Sequence, residues 1–285
     1  MITQIRIIFY RILSIAPVVA VLFFTACAAP SLNNKNIAVE RIVKDNNFGK
    51  ACLETKDFTL MAYYRFREPQ QPINIYIEGD GSAWRNCARL SEDPTPRNPL
   101  VLELAAIDSS PNVAYLSRPG QYPMSCGASK PESSYWSGKR FSKEVITSVN
   151  EAINQLAYLA GSDKINLIGY SGGAAIAVLA AAQRKDVVSL RTIAGNLDSD
   201  AVNKHHNVSI LSGSLNPIDV AQELKKIPQR HFVGANDKVV PGFIAESFVK
   251  RMDDKDFKRI TVVKSATHTK GWQEHWKELL GYPVE

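Results

Sequence analysis

The sequence is poor in the residues that build metal and redox centres. It holds four cysteines and five histidines in 285 residues, and the cysteines show neither a Cys-x-x-Cys pair nor a zinc-ligand spacing. No internal repeat and no low-complexity run occurs, and a composition of 45% hydrophobic and 22% charged residues argues against disorder, collagen-like chains and coiled coils. The net charge of +6 is not gathered into a phosphate-binding track. Arg6 and Arg11 lie at the extreme N-terminus, and later basic residues alternate with acids, as in Lys250-Arg251-Met252-Asp253-Asp254-Lys255-Asp256. That pattern is a solvated helix face, and no nucleic-acid partner is expected. What remains is an ordinary globular chain, long enough for one large domain or two small ones.

The N-terminus reads as an address. Residues 1–11 carry two arginines and no acid, an apolar stretch follows from Ile12 to Phe24, and small residues come next, Thr25-Ala26-Cys27-Ala28-Ala29-Pro30. This order is that of a secretory signal, and the apolar run is too short for a comfortable membrane span. Phe24-Thr25-Ala26-Cys27 resembles a bacterial lipobox, with Phe24 in place of the usual Leu. Cleavage after Ala28 and an uncleaved anchor are the alternatives; the anchor would hold Arg11 in lipid. The expected organisation is a lipoprotein-type signal peptide over 1–26, a lipid-anchored tether over 27–45 beginning at lipidated Cys27, and a folded domain over 46–285. The localisation to expect is the cell envelope, facing the periplasm, and Ala28 resembles an outer-membrane sorting residue. In an oxidising compartment Cys52, Cys87 and Cys126 would give one disulfide and one free thiol, with three pairings open.

Beyond residue 57, β-rich runs alternate with helical patterns. Strands are expected at 58–64, 73–77, 112–116, 164–168, 187–194, 229–233 and 259–263. Helices are expected at 141–160, 174–182, 217–226, 242–251 and 272–280, the first with an apolar stripe of Val145, Val149, Ile153, Leu156 and Leu159. Repeated βα alternation implies a mostly parallel central sheet with helices on both faces. In such a sheet ligands are met by the loops at the carboxyl ends of the strands.

One of those loops is Gly169-Tyr170-Ser171-Gly172-Gly173, between a strand and an Ala-rich helix. G-x-S-x-G in this setting is a nucleophile elbow: glycines allow a tight turn that lifts the serine Oγ above the sheet. An acid is then expected after a later strand and a histidine after the last one. Asp237, in Gly234-Ala235-Asn236-Asp237-Lys238-Val239-Val240-Pro241, follows the 229–233 strand; Asp198 is the reserve. His268 follows the 259–263 strand, whereas His205 and His206 lie in a polar loop, His231 opens a strand and His275 sits on the final helix. Ser171, Asp237 and His268 would be nucleophile, orienting acid and general base.

An oxyanion needs backbone donors. Gly172 N–H supplies one, and the loop Glu78-Gly79-Asp80-Gly81-Ser82-Ala83-Trp84 supplies the other from Asp80 or Gly81, with Gly79 and Gly81 allowing close approach. The carboxylates of Glu78 and Asp80 are expected to point away and bond the loop. A dinucleotide reading fails because Trp84 stands at its third glycine. Arg118 to Tyr122 and the Tyr135-Trp136 pair are candidate pocket walls. Asp198 to Pro217 is too short for a large lid.

Together these residues resemble the α/β-hydrolase superfamily over about 57–280. More narrowly, Tyr76-Ile77-Glu78-Gly79-Asp80-Gly81, Asp93-Pro94-Thr95-Pro96-Arg97-Asn98-Pro99, Ala194-Gly195-Asn196-Leu197-Asp198, Ser214-Leu215-Asn216-Pro217 and Gln229-Arg230-His231-Phe232-Val233-Gly234 resemble a poorly characterised group of exported bacterial hydrolases. The resemblance implies the α/β-hydrolase fold and cleavage of an ester, thioester or related acyl bond through an acyl-serine, with no metal or cofactor. Acyl transfer by the same three residues, or a non-catalytic binding role, are the alternative activities. That group often has a cysteine where this chain has Gly120, paired with one near Cys126. Its absence here leaves the partner of Cys126 open.

Overall fold

The computed structural model describes residues 32–285 apart from Cys87, Ala128, Lys255 and Asp256. The expected signal peptide and Cys27 therefore lie outside the described residues. In chain order the elements are α1 (Leu32–Asp45), β1 (Gly49–Glu54), β2 (Thr59–Phe66), β3 (Ile73–Ile77), a hairpin of β4 (Trp84–Asn86) and β5 (Arg89–Leu90), and α2 (Leu100–Ile107). Next come β6 (Asn112–Leu116), α3 (Pro123–Cys126), α4 (Lys143–Ala160), β7 (Ile165–Tyr170), α5 (Gly172–Ala181), β8 (Val187–Ile193) and α6 (Ser199–His205). The chain ends with β9 (Gln229–Gly234), α7 (Phe243–Arg251), β10 (Ile260–Val263) and α8 (Gln273–Leu280).

Eight strands form one sheet in the order β1-β2-β6-β3-β7-β8-β9-β10. β2 runs antiparallel to both its neighbours, and every other pairing is parallel. Parallel strands need crossovers, and the helices that provide them cover both faces. On one face Ile73, Ile75 and Ile77 of β3 pack with α4, α5 and α7. On the other, Tyr76 of β3 packs with α1, α2 and α8, around Trp272 and Trp276. The period-2 alternation of β3 thus feeds two cores at once. This is the α/β-hydrolase fold, and it sets the carboxyl ends of β3, β7, β9 and β10 along one edge.

Several elements depart from the sequence expectation. From Leu32 onward the expected tether is helix α1, whose Val39 and Val43 are buried with Leu100, Val101 and Leu104. Val39 and Val43, with half-buried Ile42, pack against the core between the polar residues of this helix. The segment expected as a helix over 217–226 is a 3-10 helix, Pro217–Leu224. Along α4 the stripe Val145, Val149, Ile153 and Leu156 is fully buried, but Leu159 is 48% exposed. Cys126 pairs with Cys52 across 74 residues, with Cα atoms 5.5 Å apart. Cys87 lies outside the described residues. Gly120, at φ +80°, leaves no room for a side chain: a Cβ would sit 2.8 Å from the Trp136 ring.

Candidate active site

The turn from β7 into α5 is built by close approach. A Cβ on Gly169 would lie 2.4 Å from the Gly173 carbonyl oxygen, and one on Gly173 would lie 2.2 Å from that of Ile77. Only glycine fits either place. Between them Ser171 takes φ 51° and ψ −118°, a conformation that costs a side-chain-bearing residue on the order of 1–3 kcal/mol. The turn is locked by Ser171 N–H donating to the Ile193 carbonyl at 2.9 Å and Asn196 N–H donating to the Ser171 carbonyl at 3.0 Å.

Three loops bring the expected residues together. Ser171 Oγ lies 3.0 Å from His268 Nε2, and His268 Nδ1 lies 2.9 Å from Asp237 Oδ2. The Asp237 side chain is fully buried, and its other oxygen accepts the N–H groups of Val239 at 2.8 Å and Val240 at 2.9 Å. Those bonds fix the carboxylate so that Oδ2 faces the imidazole. His268 is held from behind, since its carbonyl accepts from Tyr170 Oη and Trp272 Nε1, both at 3.0 Å. With Nδ1–H donated to Asp237, Nε2 keeps a lone pair facing the Ser171 hydroxyl.

The remaining histidines are elsewhere. His231 is fully buried within β9, where Nδ1 meets Thr192 Oγ1 at 2.9 Å; desolvation pushes it down to about 3, so it stays neutral. His275 bonds Ser265, and His206 bonds the Val239 carbonyl. Asp198, the reserve acid, caps α6 by accepting Ala201 N–H at 3.1 Å and also accepts from Asn216. It is a structural residue.

Around Ser171 and His268 lies a cavity of about 400 Å³, walled by Glu78, Asp80, Gly81, Pro96, Leu100 and Val239 among others. Arg97 and Asn98, from the 93–99 segment that carries the narrower resemblance, stand on its exposed rim, a place the sequence did not assign them. The loop after β3 forms one wall, with Gly79 packed against Tyr170 and Ser171. Gly81 has φ +61°, and a Cβ there would lie 2.1 Å from the Pro94 carbonyl oxygen. Gly172 opens α5 directly after Ser171, and no earlier turn of helix offers an acceptor for its N–H.

The two acidic residues of this loop do not both point away. Glu78 bonds the loop as expected, accepting Gly79 N–H at 2.9 Å and Tyr115 Oη–H at 3.0 Å, yet it also lines the cavity. Burial pushes its carboxyl up to about 7, against the pull of those two donors and of Arg118. The Asp80 carboxylate lies against Gly172, where a Cβ would be 2.0 Å from Oδ1. It is countered by Arg118 Nη1 at 3.3 Å and by Arg140 Nε at 3.4 Å. The second of these is an ion pair without hydrogen-bond alignment, as Arg140 Nε has no bonded partner. Two guanidiniums, 4% and 14% exposed, thereby offset a carboxylate beside the place where negative charge would develop. Arg140 was not visible as a site residue in the sequence. Arg118 and Gln121 back the loop instead of lining the cavity, and Trp136 is packed with its Nε1 bonded to the Ser91 carbonyl.

No protein-family model matches the sequence, and no curated protein matches it either. Solved structures do. An esterase of Pyrococcus furiosus aligns with a TM-score of 0.60 at 15% identity, over 84% of this chain and 91% of its own. An alpha/beta hydrolase of Penicillium aligns with a TM-score of 0.59 at 15% identity, over 82% and 94%. An acylaminoacyl peptidase of Pyrococcus horikoshii aligns with a TM-score of 0.60 at 13% identity over 82% of this chain, which spans 40% of the peptidase's length. At these identities the likeness establishes the α/β-hydrolase fold and nothing narrower.

Proposed function

We propose that the protein is a serine hydrolase that cleaves an ester, thioester or related acyl bond through an acyl-serine intermediate. The carrying observation is the continuous relay from Ser171 Oγ to His268 Nε2 at 3.0 Å and from His268 Nδ1 to Asp237 Oδ2 at 2.9 Å. As Ser171 Oγ attacks the acyl carbon, His268 takes its proton and Asp237 stabilises the imidazolium. The carbonyl oxygen, now an oxyanion, is met by Gly172 N–H and by the loop after β3. His268 then protonates the leaving group. A water, deprotonated by the same imidazole, frees the acid and restores Ser171. Hydrolysis of p-nitrophenyl acetate, with acetate as the measured product, should fall by roughly 10⁴-fold or more in Ser171→Ala. Acetyl groups appearing on an added alcohol instead of as acetate would turn the assignment to acyl transfer.

The N-terminal layout supports export and anchoring through lipidated Cys27, and the Cys52–Cys126 disulfide suits an oxidising compartment. Full-length protein should sediment with the membrane fraction and Cys27→Ser should not. A Cys27→Ser variant that stays membrane-bound would contradict the lipid anchor.

A further inference from the structure

The loop after β3 presents several backbone N–H groups, and their partners separate them. Gly79 N–H is taken by Glu78 Oε1 at 2.9 Å, and Ser82 N–H by the Pro94 carbonyl at 2.9 Å. Among the described residues, Asp80 N–H and Gly81 N–H meet no protein acceptor. The peptide joining Gly79 to Asp80 is braced from one side. Gln121 Nε2 donates to the Gly79 carbonyl at 3.0 Å, while Gln121 Oε1 accepts Arg118 N–H at 3.0 Å. Gln121 is 4% exposed, and turning its amide over would forfeit both bonds. In a planar trans peptide the carbonyl and the next N–H point opposite ways. A carbonyl drawn towards Gln121 therefore sends Asp80 N–H the other way, towards the cavity that Asp80 and Ser171 line. Gly79 backs directly on the nucleophile, with a Cβ there falling 3.4 Å from Ser171 Cβ.

We infer that Gln121 is a positioning residue, which orients the Gly79–Asp80 peptide so that Asp80 N–H joins Gly172 N–H as the second oxyanion donor. The inference rests on the acyl-serine reading above and adds which donor acts and what aims it. It also gives a use to a buried amide on a loop outside the three reacting residues. A donor misaimed by a fraction of an ångström weakens the bond in the transition state far more than it weakens substrate binding.

The test compares wild type with Gln121→Met, similar in length but unable to donate, and Gln121→Glu, which keeps the acceptor for Arg118 N–H and donates only when protonated. Rates are measured with p-nitrophenyl acetate and with a fluorophosphonate. Gln121→Met should lose about 10- to 100-fold in kcat with KM within about twofold, short of the ~10²- to 10³-fold cost of deleting a donor outright. Gln121→Glu should gain on the wild-type pH profile as pH falls, because the protonated carboxyl again donates to the Gly79 carbonyl. A wild-type kcat in Gln121→Met, or a Gln121→Glu profile parallel to wild type, would overturn the inference; the second comparison decides even if Gln121→Met folds poorly. A wild type inert to both reagents would instead overturn the acyl-serine reading, and the inference with it.

Discussion

At the scale of single residues, Glu78 carries an unusual burden. It is buried in the wall of the cavity that holds Ser171 and His268, and Arg118, Tyr115, Tyr122 and Tyr170 surround it. Desolvation raises its carboxyl from 4.5 to about 7. The native state thus holds this proton to higher pH than the unfolded chain does. Its contribution to stability is full below about pH 4.5 and is lost as pH rises through 7. Glu78→Gln has no proton to lose, so it should gain on wild type across that window by up to about 3 kcal/mol. Thermal midpoints at several pH values read this directly. A midpoint difference that stays constant from pH 4 to 8 would contradict it. Residues 171, 237 and 268 were legible in the sequence because each sits at a fixed place after a strand in a recognisable local setting. The placement of Gln121 and Arg140 was not, since each reaches the loop after β3 through a contact with a residue about 40 to 60 positions away that no local pattern encodes.

At the scale of elements, the strands and helices with a clear period were readable, and those without one were not. α2 is Leu-Val-Leu-Glu-Leu-Ala-Ala-Ile, apolar nearly all round, so it carries no stripe to read. β1 alternates weakly, with one buried residue in six, because it is the edge of the sheet. α6 is a seven-residue helix whose start is marked only by the Asp198 cap. The disulfide belongs to this scale too, since it ties edge strand β1 to α3, at the end of the segment that carries Arg118 and Gln121. Sequence left three pairings open because spacing says nothing about which strands become neighbours. Cys52→Ala/Cys126→Ala should lower stability by about 2–4 kcal/mol. It should also slow ester hydrolysis, because the brace behind the oxyanion loop loses its tether. An unchanged midpoint and rate in the double variant, with and without reductant, would show that the bond has neither role.

At the scale of the molecule, the βα alternation sufficed to place a mostly parallel sheet with helices on both faces, and the fold follows that plan. Within the segment read as a tether, helix α1 contributes two buried valines to the core around α2 and α8. The fold brings residues 78–81, 171, 237 and 268 to one edge of one sheet, which is what the acyl-serine account requires. Its central claim is an activated Ser171. The most direct measurement is labelling of the purified domain with a fluorophosphonate, followed by mass mapping of the adduct. The account predicts one adduct, on Ser171, abolished in Ser171→Ala and strongly reduced in His268→Ala. A folded wild type that takes up no label, or takes it up on another residue, would contradict it.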